Sequence, residues 1–238
     1  MLLLLASIAP SVALMYFFYM KDKYEKEPRQ LLIKAFFYGA LSVIPILFVE
    51  MRLHVFDMAA DRSLIAAGYT AFIVAGLVEE GFKFLVFYLF IWRHHEFDEM
   101  YDGIVYSVFV SLGFATIENI GYVLSTGFSV ALLRSITAIP AHAMFGVAMG
   151  YYLGIAKFVG SPYREKYFRL GLIVPVALHG IYDFILFSQR YYIMSVFVIY
   201  LIYLWRRGMR NVRELVECSP YKDDTDREDD DSSCDFEK

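Results

Sequence analysis

The sequence predicts an all-α fold, a polytopic membrane bundle of about seven transmembrane helices. Of its 238 residues, 58% are hydrophobic and 18% aromatic, and the mean hydropathy is +0.48. A soluble domain holds about 45–50% apolar residues. The excess here is gathered into blocks, and most blocks approach the roughly 20 apolar residues a helix needs to cross a bilayer core.

Seven runs stand out: 2–19, 31–49, 64–92, 104–124, 130–158, 170–187 and 191–205. The first has no basic residue ahead of it and no clear small-residue cleavage site before Lys21, so it reads as a retained span and not a removed signal. The last is short and must sit shallow or borrow flanking aromatics.

Basic residues in the connecting loops set the orientation, because Lys- and Arg-rich loops stay in the cytoplasm. Lys21, Lys23, Lys26 and Arg29 fill the first loop. Arg164, Lys166 and Arg169, with Lys157 at the edge, fill the fifth, and Arg206, Arg207, Arg210 and Arg213 open the tail. Alternate loops are poorer, with Arg52 and Arg62 in the second, Arg134 bordering the fourth and Arg190 in the sixth; the third has only Arg93. A multi-pass protein of a cell membrane is expected, its N-terminus outside and its C-terminus cytoplasmic.

Charge is uneven along the chain. Residues 222–238 carry nine acidic and three basic side chains, a net of −6, which leaves +2 for the rest of a chain whose total is −4. A run so poor in apolar residues is expected to be solvated. The expected division is a transmembrane domain at 1–210 and a cytoplasmic, acidic, disordered tail at 211–238. Cys218 and Cys234 are the only cysteines and both follow the last run, which excludes a disulfide framework for the body. No cysteine–histidine spacing suggests a structural zinc site.

Charged groups at membrane depth are the informative residues, since each costs about 3 kcal/mol on insertion scales and needs a partner or a purpose. In the third run, VEEGFKFLVF places Glu79 and Lys83 on one face at i, i+4, with Glu80 about 100° around from Glu79. Lys83 can neutralise one carboxylate and leave the other available. A purely architectural pair would need only one glutamate.

In the fourth run, Ser107, Ser111, Phe114, Glu118 and Gly121 fall along one line of a helix, so Glu118 faces other helices and not lipid. In the fifth, His142, Gly146, Gly150 and Gly154 recur every four residues, and small residues at that spacing let backbones approach. Pro140 is expected to bend or loosen this helix. In the sixth, His179 and Asp183 are i, i+4 neighbours, and the aspartate can fix the ring's tautomer.

Singly, each group has a bland reading: an architectural ion pair, a headgroup-level carboxylate, helix glue, a self-satisfied polar pair. Together they put three glutamates and two histidines on inward faces of four successive helices. That inventory suits activation of water and not a covalent nucleophile, for no serine sits in a GxSxG setting and no cysteine lies in a span. A carboxylate could deprotonate water while imidazoles stabilise the oxyanion or bind a metal.

At these residues the chain resembles the PrsW family of bacterial intramembrane proteases, related to the CAAX prenyl proteases and bacteriocin-processing membrane enzymes. The resemblance rests on Glu79-Glu80-x-x-Lys83, Phe114-x-x-x-Glu118, His142 within AHAMFG, and His179-x-x-x-Asp183. FDEMYDGIVY, SLGFATIEN, LHGIYDFIL and IAPSVALMYFFYMKDKYEKEP add to it, and it spans roughly residues 8–210. It implies site-1 cleavage of a single-span, membrane-anchored anti-sigma factor at its extracytoplasmic side, leading to release of the sigma factor. It also implies that Glu79 or Glu80 activates water, with His179 essential, Glu118 and His142 assisting, and Lys83, Asp183 and Phe114 in support. The prenyl proteases carry EExxxR and FxxxH, whereas this chain has EExxK and ends its second motif in Glu118.

Two water-activation schemes fit these residues. A zinc set of His142, His179 and Glu118 with a second glutamate as base is one; a metal-free glutamate mechanism, slightly preferred, is the other. Two readings of another class also use such residues. A proton-coupled transporter needs intramembrane acids and histidines, although no repeat pairs the two halves of this chain. A non-catalytic scaffold or sensor would bind a partner's span through the glycine-rich fifth helix.

Overall fold

The computed structural model describes residues 2–53 and 63–222, together with Cys234 and Phe236. Among them no strand occurs. The order is α1 (Leu2–Lys21), α2 (Arg29–Leu53), α3 (Leu64–Tyr69), a π-helical segment (Thr70–Leu77), α4 (Val78–Phe90), α5 (Met100–Thr126), α6 (Phe128–Ile136), α7 (Ala138–Phe158), α8 (Tyr163–Phe187), α9 (Tyr191–Met194) and α10 (Phe197–Glu217). The all-α membrane bundle is therefore present.

Among the described residues, five stretches are long and apolar enough to cross a membrane: Leu4–Lys21, Arg29–Leu53, Met100–Thr126, Phe128–Phe158 and Tyr163–Phe187. The run expected at 64–92 is helical from Leu64 to Phe90, but in three pieces and with its three charges turned inward. The run expected at 191–205 differs. It breaks after α9, and α10 carries an apolar first half into an arginine-rich second half packed on α7 through Gly208 and the buried Leu204, Val212 and Leu215. The boundary expected at 210 thus falls inside α10. Cys218 and Cys234 form a disulfide, and Phe236 is buried with its carbonyl accepting from Tyr167 Oη at 3.1 Å. Arg62 and the acidic run 223–233 lie outside the described residues.

The bundle is apolar outside and polar within, as a membrane solvent requires. Ile44 is 70% exposed and Leu124 67%, whereas Glu80 and Lys83 have no exposure at all. α5 is the central column, touching α1, α2 and α7. It meets α7 backbone to backbone through glycines: a Cβ on Gly150 would lie 2.1 Å from the Gly103 carbonyl oxygen, and one on Gly154 2.1 Å from that of Met100. α2 comes as near, a Cβ on Gly39 standing 1.9 Å from the Val110 carbonyl oxygen. The glycine face of the fifth run is thereby consumed within the chain, which removes the surface the scaffold reading requires. Pro140 loosens the fifth run and does not bend a continuous helix. The run breaks at Thr137, and Pro140 occupies the first turn of α7, where its missing N–H would have no intrahelical partner anyway.

The end of the bundle at Lys21, Arg29 and Met100 is closed by carboxyl groups. Asp22, Glu27, Glu99 and Asp102 are all buried. Asp102 accepts from the Glu99 backbone N–H at 2.8 Å, Tyr106 Oη donates to Glu27, and Ser219 Oγ donates to Glu99. Lys26 spends its amine on backbone carbonyls, 2.7 Å from that of Asp22 and 3.0 Å from that of Tyr19. Burial raises Asp22 to about 6, against the opposing Glu27 N–H and Lys26. Burial raises Glu99 to about 8, against the Ser219 hydroxyl and with help from neighbouring acids. Burial, then the Asp102 carboxyl, raises Glu27 far higher.

These groups hold protons in the fold that the unfolded chain releases above its ordinary carboxyl range. Their contribution to stability is complete below about pH 4 and is lost as pH rises through the folded values. The thermal midpoint in detergent should fall between about pH 5 and pH 9, and less steeply in Glu99→Gln, whose amide cannot ionise. Identical slopes for the two proteins would contradict the assignment.

Candidate active site

The short α4 begins one residue before Glu79, directly after the π segment. π turns are rare and gather at functional sites. Here the segment meets α8 almost backbone to backbone: a Cβ on Gly76 would stand 3.1 Å from the Val176 carbonyl oxygen and 3.3 Å from the Gly180 nitrogen. That approach brings the glutamates just after Gly76 level with His179, just before Gly180.

Lys83 Nζ donates to Glu80 Oε1 at 2.7 Å and to Glu79 Oε2 at 3.1 Å, and lies 4.1 Å from the centre of the Phe114 ring. The amine therefore holds both carboxylates and not one, as the helical spacing alone suggests. The other Glu80 oxygen, Oε2, is buried without a hydrogen-bond partner.

Both histidines are held in the same way. His142 Nε2 lies 3.2 Å from Glu118 Oε2, and His179 Nε2 lies 3.3 Å from Asp183 Oδ2. A carboxylate only accepts, so each Nε2 donates and each Nδ1 turns toward the glutamates. His142 Nδ1 there accepts from Lys83, whereas His179 Nδ1 also faces a carboxylate and must donate to it or share a cation with it. His179 Nδ1 is 2.9 Å from Glu80 Oε1, and His142 Nδ1 is 3.4 Å from Lys83 Nζ. The rings stand nearly perpendicular, 5.1 Å apart, with Phe145 stacked on His179 at 4.8 Å and set edge-on to His142 at 5.7 Å. Ser111 Oγ donates to the His142 carbonyl at 2.7 Å, tying the face of α5 that carries Glu118 to α7.

All five expected catalytic residues thus join one network, with Lys83, Asp183 and Phe114 around it. Glu79, Glu80, His142 and His179 each offer a ligand atom within 4.8 Å of the others, all four residues buried. Two imidazoles and two carboxylates suit zinc, and the orphaned Glu80 oxygen is what a missing cation would leave. The residues fit a metal. Glu118 does not share that set; it orients His142 from the far side and is itself gripped by Arg134 Nη2 at 2.5 Å.

A cavity of about 1270 Å³ leads to the network, lined among others by Glu79, Glu118, His142, His179 and Asp183. Glu79 faces this space, whereas Glu80 lies behind it. His179 and Glu118 each sit eight residues from the C-terminal end of their helices, and His142 four from the start of α7, about 6–12 Å along those axes, whereas Glu79 lies fifteen residues into the helical run that starts at Leu64. Arg134 and Phe145 are the functional neighbours that sequence reasoning missed. Arg134 counts as a loop charge by position, yet it points into the site, so it casts no vote on orientation.

The family described as PrsW family intramembrane metalloprotease matches residues 27–205. The chain belongs to this family. Proteins named Protease PrsW are its relatives: that of Geobacillus kaustophilus is 41% identical over 89% of this chain and 91% of its own length. That of Bacillus subtilis is 39% identical over 88% and 93%, and that of Clostridioides difficile 39% over 91% and 92%. No solved structure matches the chain. As a PrsW family protein this is a membrane-embedded hydrolase that acts on a membrane protein, and neither transport nor a purely structural role is favoured.

Proposed function

We propose that this PrsW family protease makes the first cut in a single-span anti-sigma factor, at the extracytoplasmic side, through a water molecule activated by Glu79. The observation that carries the reading is the pair of histidines whose Nε2 atoms are fixed by carboxylates while their Nδ1 atoms converge on Glu79 and Glu80 at the closed end of the cavity.

His142, His179 and Glu80 would hold a metal, with Glu79 left as base because it faces the cavity. A bound zinc ion would supply an acidified water and polarise the scissile carbonyl. The donor set and the family description support this scheme over the metal-free one. Glu79 accepts a proton from the attacking water as its oxygen bonds to the carbonyl carbon. The C–N bond then breaks, and the proton passes from Glu79 to the leaving amine. Lys83 keeps the two neighbouring carboxylates from repelling each other. Asp183 and Glu118 hold the imidazoles in one tautomer, and Phe145 fixes the angle between them.

Wild-type protein in liposomes should cut a single-span anti-sigma factor, and Glu79→Ala and Glu80→Ala should each lose at least about a hundredfold in rate. Wild-type cleavage by both variants would end the proposal. By elemental analysis, purified protein should hold zinc, keep it in Glu79→Gln, and lose it in His142→Ala, His179→Ala and Glu80→Gln. Equal zinc in all four variants would restore the metal-free scheme.

Orientation follows the loop charges and can be tested at Cys218 and Cys234. The structure joins the two as a disulfide, and on the cytoplasmic side, where thiols are kept reduced, that bridge would be open in the cell. A membrane-impermeant maleimide should therefore label the pair only after cells are opened. Labelling of intact cells, or a pair already oxidised in cells, would reverse the assigned topology.

A further inference from the structure

We propose that Arg134 is a positioning residue of the site, acting through Glu118 on His142. The inference rests on the assignment of His142 to the catalytic network.

α6 delivers Arg134 to three residues on successive turns of α5. Its Nη2 donates to Glu118 Oε2 at 2.5 Å, its Nε donates to Asn119 Oδ1 at 3.1 Å, and its guanidinium lies 4.0 Å from the centre of the Tyr122 ring. Asn119 is itself anchored, for its Nδ2 donates to the Ser7 carbonyl at 3.0 Å. The clamp therefore ties α6 to α5 and, through Asn119, to α1.

The Glu118 oxygen that takes the Arg134 proton is the one that faces His142 Nε2. A carboxylate held by one weak hydrogen bond can rotate or drop toward the cavity. Held on that same oxygen by Arg134, whose guanidinium is fixed in turn by Asn119, it stays directed at His142, and His142 keeps Nδ1 turned toward Glu79 and Glu80. Asp183 needs no equivalent clamp, since it reaches His179 from the same helix one turn away. Glu118 and His142 sit on different helices, and α6, which leads directly into α7, supplies the third point. A lysine could replace the charge but not the two-point fork.

The test is the purified protease in detergent with a membrane-anchored substrate, comparing Arg134→Gln, Arg134→Lys, Glu118→Gln and the Arg134→Gln/Glu118→Gln double variant. Arg134→Gln should lower kcat about 10- to 100-fold, the range for partners that orient a ligating histidine, with KM within about twofold of wild type. Arg134→Lys should recover part of that loss. The double variant should be no slower than Glu118→Gln, because the arginine acts only through that carboxylate. Nitrogen-15 signals of the His142 ring should show one tautomer, protonated at Nε2, in wild type and a mixture in Arg134→Gln. This readout needs no substrate, so it separates failure of the inference from failure of the substrate assignment. A KM rise at unchanged kcat, multiplied losses in the double variant, or an unaltered tautomer in Arg134→Gln would overturn the proposal. Should Arg134→Gln fail to fold, Arg134→Lys carries the same ring measurement, with the same mixture expected.

Discussion

A lysine amine with no exposed surface, between two glutamates one helical turn away, is the constraint on which the rest of this molecule depends. Leaving any one of Glu79, Glu80 and Lys83 unpaired at membrane depth would cost several kcal/mol, because desolvation outruns what a single contact returns. The trio is two negative charges against one positive, so it cannot be neutral by itself. Its surplus charge has to be met by what the neighbouring helices supply, and the group that faces it is His179, 2.9 Å from Glu80, while His142 accepts from Lys83. The architecture around the site is the means of bringing those two rings to that spot.

Backbone contact does this. Glycines remove the side-chain layer at α5 against α7 and at the π segment against α8, and helices that touch through backbone cannot slide without collision. A leucine-lined interface would leave room for a small shift between His179 and Glu80; the Gly76–Gly180 approach does not. Phe114 and Phe145 then fill the gaps between charged groups with rings, which keeps water out of the closed end while the cavity brings it to Glu79.

The fold class and the inward faces of four helices were legible in the sequence because both follow from period and solvent. An apolar block needs a bilayer, and a charge inside it needs company. The convergence of Glu79, Glu80, Glu118, His142 and His179 followed from spacing within each helix. Spacing within a helix is silent about contacts between helices, which is why Glu118 stands among the candidate metal ligands. The second Lys83 contact, to Glu80 at i, i+3, lies within α4 and was open to the same spacing argument. The π segment left no trace in TAFIVAGL, whose composition suits an ordinary helix. Arg134 was misread for a physical reason: a charge near a loop looks like loop charge, and only the fold of α6 back against α5 turns it inward. The last run misled through its tyrosines and tryptophan, which continue the apolar pattern of α10 up to the point where its arginines begin.

Depth explains what such a site can cut. Inside a helix the scissile carbonyl is engaged by the N–H four residues on and is shielded by side chains, so hydrolysis requires the last turns of the substrate to unwind. Unwinding at the bilayer centre would expose several unsatisfied peptide groups, each costing several kcal/mol. Within about 6–12 Å of the helix ends, the substrate is already fraying and water can take over the freed groups. The cavity lets an extended strand of peptide reach Glu79 there, with the polar rows of α5 and α8 on hand to pair its backbone. On the proposed function, a site at that level, sealed by glycine contacts and aromatic rings beneath, would favour peptide bonds beside the bilayer over those within it.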